Sequence, residues 1–315
     1  YRRLPYAVTW GIPAEVCEAM GAEKPRPIFE PTFFFEEDGG TKAVCDSTPI
    51  IRRLEDTYTG RSVLPGDPAL AFIDYLIEDF ADEWCTKYMF HYRWHYDADI
   101  QKAGSILPRW GNNTGSDEAI APISEFIINM QTSRLSYVGS NETTKPIIEA
   151  SFHRFLSILN DCLQENPFLF GKRPASADFA LYGQLTCLAL FDPTPQAIIT
   201  NQFPRIYAWV ELMEDLSGLD ISDDDWIDIQ QGLLQQHQRG LYVHIEAPGG
   251  REKLHEYLSK TDLAQRFFEY RLADCANRRL ELVDAGCRRN PAAGDMKLCY
   301  AAIVLLENRE QIFAK

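Results

Sequence analysis

One run constrains this chain more than any other: Pro167-Phe168-Leu169-Phe170-Gly171-Lys172-Arg173-Pro174-Ala175-Ser176-Ala177-Asp178-Phe179-Ala180-Leu181-Tyr182-Gly183-Gln184-Leu185. It reads as an extended apolar lead-in, a tight turn and the start of a buried helix. Gly171 supplies a permissive backbone, and Pro174 keeps Arg173 out of helical geometry. From Ala175 onward, Ala177, Ala180, Leu181, Gln184, Leu185 and Leu188 recur at helical spacing. Few polar side chains interrupt them, so the helix belongs in the middle of a fold. Asp178 stands three residues after Ala175, where a capping-box carboxylate reaches back to the first free N–H groups. Ala175 has no hydroxyl to complete the box. Either Asp178 caps alone, or Ser176 moves the helix start by one residue. Asp178 is thus expected to be a folding residue and not a catalytic one.

Size and charge narrow the rest. The 315 residues suggest two domains, and a net charge of −15 disfavours nucleic acid as a partner. No apolar run approaches the length of a membrane span. The 8 cysteines include no Cys-x-x-Cys pair, which argues against zinc ribbons and dithiol redox sites. They lie mostly among apolar neighbours in a chain too large to need stapling, so reduced thiols in the cytoplasm are expected. Sequons at Asn112 and Asn141 read as polar loops. The sequence begins at Tyr1 without Met, as a fragment or trimmed product would.

Taken in order, Tyr1 to Leu4 looks like a helix tail stopped by Pro5, and Tyr6 to Thr9 like a short strand. Pro13 to Gly21 can form a short helix. Residues 32–45 read as a β-hairpin with Glu36-Glu37-Asp38-Gly39-Gly40 at its turn. Asp46-Ser47-Thr48-Pro49 then starts a helix, with Pro49 in its first turn. Thr59 to Gly66 is a linker. Asp67 to Ala103 reads as one long helix or two abutting ones, and Pro122 to Val138 as another. Thr144 to Gln164 is amphipathic through Ile147, Ile148, Phe152, Phe155, Leu156 and Leu159. Phe203-Pro204 opens a further helix. Ser222-Asp223-Asp224-Asp225 starts one that can run to Glu246, ahead of Pro248-Gly249-Gly250. Arg251 to Lys315 is helical in pattern and carries no visible chemistry.

His91, His95 and Asp99 fall on one face of a continuous helix, a spacing that can bind metal, though a polar helix face or partner-facing seam explains it as well. No metal site is expected. Glu78, Asp79, Asp82, Glu83, Trp84, Tyr88 and Trp94 belong to the same charged and aromatic run. Its aromatics suit either a pocket wall or ordinary core packing.

The run through Asp178 resembles the core motif of the helical C-terminal domain of the glutathione transferase superfamily, where a Ser or Thr caps the helix and Asp closes the box. Glu30-Pro31-Thr32-Phe33 followed by Asp46-Ser47 resembles the glutathione-binding half of that superfamily's thioredoxin-like domain. The resemblance implies a fold of α/β plus all-α class. A truncated thioredoxin-like domain (1–61) lacking its first strand precedes an all-helical transferase C-terminal domain (67–246) and a helical extension (251–315). It also implies a cis bond before Pro31, turning the Glu30 backbone toward the cysteinyl part of glutathione. Ser47 would take the γ-glutamyl carboxylate at a helix N-terminus, and Asp46 would face the ammonium group. Simple capping of their own helix is the alternative role for both Asp46 and Ser47. The thiol-activating residue of the family is expected before Tyr1, so the catalytic residue is unknown. The functional expectation is glutathione as co-substrate, conjugating or reducing small electrophiles, with a homodimer as the expected assembly. The alternative is a non-catalytic transferase-like scaffold that binds partners.

Overall fold

A computed structural model describes residues 1–227 apart from residues 29 and 38. The expected helix beyond residue 227 and the extension from Arg251 lie outside the described residues. The described residues fall into two units, residues 1–141 with 159–227 and residues 142–158. The expected boundary between residues 61 and 67 falls inside the first unit.

The element order is α1 (Pro13–Ala19), β1 (Thr32–Glu37), β2 (Gly40–Cys45), α2 (Ser47–Thr57), α3 (Pro68–Phe80), α4 (Thr86–His95), α5 (Asp97–Gly111), α6 (Asp117–Thr132), α7 (Lys145–Glu165), α8 (Ser176–Leu185), α9 (Pro193–Gln202) and α10 (Pro204–Leu212). All belong to the first unit except α7, of which only the later part does. Strands β1 and β2 pair antiparallel, from Thr32 opposite Cys45 to Glu37 opposite Gly40. Arg53 of α2 lies 3.8 Å over the Phe35 ring and pairs with Glu37, which ties α2 to the hairpin. No helix among the described residues is long and apolar enough to cross a membrane.

Helix α8 is central, as its composition implies. Ala177, Leu181 and Leu185 are fully buried, and α8 packs on α3. Each such leucine contributes about 1.5–3 kcal/mol by leaving water. Ala175 is the N-cap and offers no side-chain bond, so only half of a capping box forms. Asp178 makes that half: Oδ2 accepts from the Ala175 N–H at 2.9 Å, and Oδ1 accepts from the Leu169 N–H at 2.9 Å. Burial lifts the Asp178 carboxyl to about 7 against the pull of these two donors. Ser176 does not shift the helix start. A second carboxylate, Asp74 of α3, accepts from the Ala177 N–H at 2.8 Å and supplies a cap from another helix.

Gly171 bridges Phe168 on one side and Trp226 on the other at φ +123°. A Cβ there would stand 2.2 Å from the Asp225 carbonyl oxygen. Gly171→Ala is therefore expected to destabilise the fold by about 2 kcal/mol, combining backbone strain with a clash against main chain. Urea denaturation of the two proteins checks this.

The structure corrects the sequence expectations in several places. Tyr1 to Leu4 is not helical. Its side chains serve as anchors instead: Tyr1 packs under the Arg61 guanidinium, and Arg2 bonds Glu55 and the Tyr58 carbonyl. Tyr6 to Thr9 forms no strand, because none of the described strands pairs with it. Tyr6 and Trp10 each stand 84% exposed. The long helix from Asp67 is three helices, with a π-turn at Ala81–Cys85 and a break at Tyr96. Tyr96 is extended at φ −102°, ψ 132°, with its ring against Tyr92 and His91. Helix α6 begins at Asp117, its N-cap Ser116 accepts from the Ala119 N–H, and Pro122 lies inside it. One lost backbone bond in an exposed turn is tolerated there. Helix α6 stops at Thr132, and Leu135–Val138 is a separate 3-10 turn. Asp223–Asp225 is a single 3-10 turn, after which Trp226 is extended and paired with Gly171.

Candidate functional site

The start of α2 combines three features. Asp46, the N-cap, sits at φ +79°, a conformation that costs a non-glycine residue about 1–3 kcal/mol and gathers at functional positions. Its side chain accepts from the Thr48 N–H at 3.3 Å, so Asp46 does cap its own helix. Pro49 brings no N–H. The Ser47 N–H and hydroxyl have no partner among the described residues, and they stand where a helix concentrates positive potential. The Asp46 N–H donates to the Pro31 carbonyl at 3.2 Å, which joins this cap to the turn before β1. The Glu30–Pro31 bond is cis, as the resemblance implies. No hydrogen bond holds the Glu30 main chain among the described residues.

These groups open on a cleft of about 560 Å³. Glu30, Asp46, Ser47 and Thr48 line one side, and Tyr75, Glu78 and Asp82 with their neighbours line the other. Pro31 is not itself in the lining. Asp178 caps α8 in the core and is likewise absent from it. Glu78 is buried, and it accepts from the Thr48 hydroxyl at 2.8 Å and from Arg52 at 2.6 Å. Burial raises the Asp82 carboxyl to about 6, with Glu78, Asp46 and Glu83 adding repulsion.

The acidic run from Glu78 to Glu83 is conspicuous in the sequence, but nothing there assigns it to the cleft. The signal available was the i, i+4 spacing of Glu78 and Asp82, two acids that share one side of a helix. The aromatics beside them are core: Trp84, Tyr88 and Trp94 are buried. His91 and His95 stack, but the break at Tyr96 ends their helix before Asp99. Asp99 instead accepts from the Thr194 N–H at 3.0 Å and so caps α9. Among the described residues, no group of three or more His, Cys, Asp or Glu is placed to hold a metal.

The cleft offers donors for one carboxylate at Ser47 and carboxylates for one ammonium group. Among the described lining residues it offers no Lys, Arg or His. A hairpin and a helix with a strained cap are followed by a set of helices around a capped central helix. Residues 152–213 match the family described as glutathione S-transferase, C-terminal domain. No curated protein and no solved structure matches the chain.

Proposed function

We propose that the chain binds glutathione in the α2 cleft and presents its thiol to small electrophiles. The observation that carries this is the strained Asp46 cap beside the Ser47 N–H and hydroxyl, which have no partner among the described residues, with Glu30 lining the same cleft. The Ser47 pair suits the γ-glutamyl carboxylate, Asp46 suits the ammonium, and Glu30 suits the peptide. The free cysteines Cys17, Cys45, Cys85, Cys162 and Cys187 accord with a reducing compartment such as the cytoplasm.

A second reading has its own support. Carboxylates crowd the lining, and negative charge raises a thiol pKa and disfavours thiolate. That favours a scaffold that binds glutathione, or a partner, without activating it. Retention on immobilised glutathione tests binding, and turnover of a chlorinated dinitrobenzene separates catalyst from scaffold. Ser47→Ala removes the hydroxyl and leaves the fold intact, so affinity should fall about tenfold, the value of one hydrogen bond to a charged group. Equal retention of both proteins would remove Ser47 from the site.

A further inference from the structure

Behind the cleft, three fully buried side chains meet. The Ser176 Oγ lies 2.6 Å from Asp74 Oδ2 and 2.8 Å from Glu78 Oε2. Ser176, Asp74 and Glu78 are 0%, 1% and 2% exposed, so water does not mediate among them freely. A hydroxyl has a single hydrogen to donate. Two ionised carboxylates would leave one of these short O···O contacts with no hydrogen in it. Both contacts are satisfied if one further proton is present.

We propose that Asp74, Ser176 and Glu78 form a one-proton relay that latches α2 to the α3–α8 core and loosens when that proton leaves. In the latched state Asp74 Oδ2–H donates to Ser176 Oγ, and Ser176 O–H donates to Glu78 Oε2. Glu78 also accepts from Arg52 and Thr48, so the chain of bonds runs from α8 through α3 into the first two turns of α2. Arg52 bonds Glu78 directly, whereas among the described residues Asp74 has no such bond to a cation, so the proton sits on Asp74. Asp74 Oδ1 keeps its bond from the Ala177 N–H in either state. When the proton passes to solvent, Ser176 serves only one carboxylate and the two acids repel.

The charged groups facing the relay are Arg52 from α2, Asp178 from α8 and Asp82 from the π-turn, and Asp82 in turn faces Asp46 and Glu83. Burial raises the Asp74 carboxyl from 3.8 to about 6, outweighing its bonds from Ser176 and Ala177, and Glu78 adds repulsion. The folded value exceeds the unfolded one, so this stabilisation is fully present below pH 3.8 and is lost as pH rises through about 6. Acidification thus tightens the helix whose first residues form the cleft. The relay involves no ligand, so its test stands or falls apart from the glutathione proposal.

Hydrogen exchange of the α2 amides in the full chain, corrected for intrinsic rates, reads the latch. Protection should be about tenfold higher at pH 5 than at pH 8, the equivalent of one unit of pKa shift. Asp74→Asn places a neutral side chain that can donate to Ser176 and accept from Ala177. It should hold α2 protected at both pH values, and Ser176→Ala should leave it equally unprotected at both. Equal protection of the unaltered chain at the two pH values would overturn the relay. So would an Asp74→Asn protein that keeps the pH difference, or one that fails to fold at pH 8.

Discussion

Asp178→Ala is expected to lower folding stability by about 3 kcal/mol, because one buried and one part-buried N–H group lose their acceptor at once and each unsatisfied buried donor costs about 1–3 kcal/mol. Those donors belong to Leu169, in the lead-in, and Ala175, at the helix cap. A single side chain therefore fixes both the turn and the start of α8. Asp178→Asn keeps one acceptor oxygen and should lose roughly half as much. Chemical denaturation, read by circular dichroism, checks both. An Asp178→Asn protein as stable as the unaltered one would mean that volume and not hydrogen bonding sets the effect.

The second large effect is expected at Asp192. Arg93 Nε donates to Asp192 Oδ1 at 2.8 Å and a terminal nitrogen donates to Oδ2 at 2.9 Å, a bidentate pair. The Asp192 side chain is 0% exposed and that of Arg93 is 11% exposed. Burial pushes the Asp192 carboxyl up in spite of the guanidinium beside it. Asp192→Ala leaves a buried cation without its counterion, and such losses run to about 3–5 kcal/mol. A paired change, Arg93→Met with Asp192→Ala, should recover more than half of that loss. Thermal melts of the single and double variants measure the recovery. A double variant as unstable as the single one would show that the charge was never the cause.

Local signals were the most legible. The hairpin at residues 32–45 follows from the strand-like Thr32–Phe35 run and a glycine turn, and α8 follows from apolar spacing after Pro174. The acid of the capping box could be read as well, because its partners lie within ten residues. What could not be read depends on groups far apart in sequence. Asp74 caps α8 from 103 residues away, and Arg93 finds Asp192 across 99. Neither pair leaves a pattern in a single chain. The strand expected at Tyr6 to Thr9 failed for a related reason: alternation marks a segment able to pair, and pairing needs a neighbour. The break at Tyr96 shows the converse, since the helical spacing of His91, His95 and Asp99 is real while tertiary packing ends the helix between them.

The cleft was half legible. Glu30, Asp46 and Ser47 were singled out by resemblance, and they line one cavity. Its other side comes from α3 and the π-turn after it, whose register a regular helical repeat does not give. The acidic character of the site therefore emerges only when the elements are assembled.

The proposed ligand, a tripeptide with one free ammonium and two carboxylates, would enter the cleft at the start of α2. Amide-resolved NMR of the full chain, titrated with reduced glutathione to millimolar concentration, tests it most directly. Saturable shifts confined to Ser47, Thr48 and Glu30 and their neighbours are the predicted result, and Ser47→Ala should weaken them. Unmoved Ser47 and Thr48 amides at saturating ligand, or shifts centred elsewhere, would contradict it.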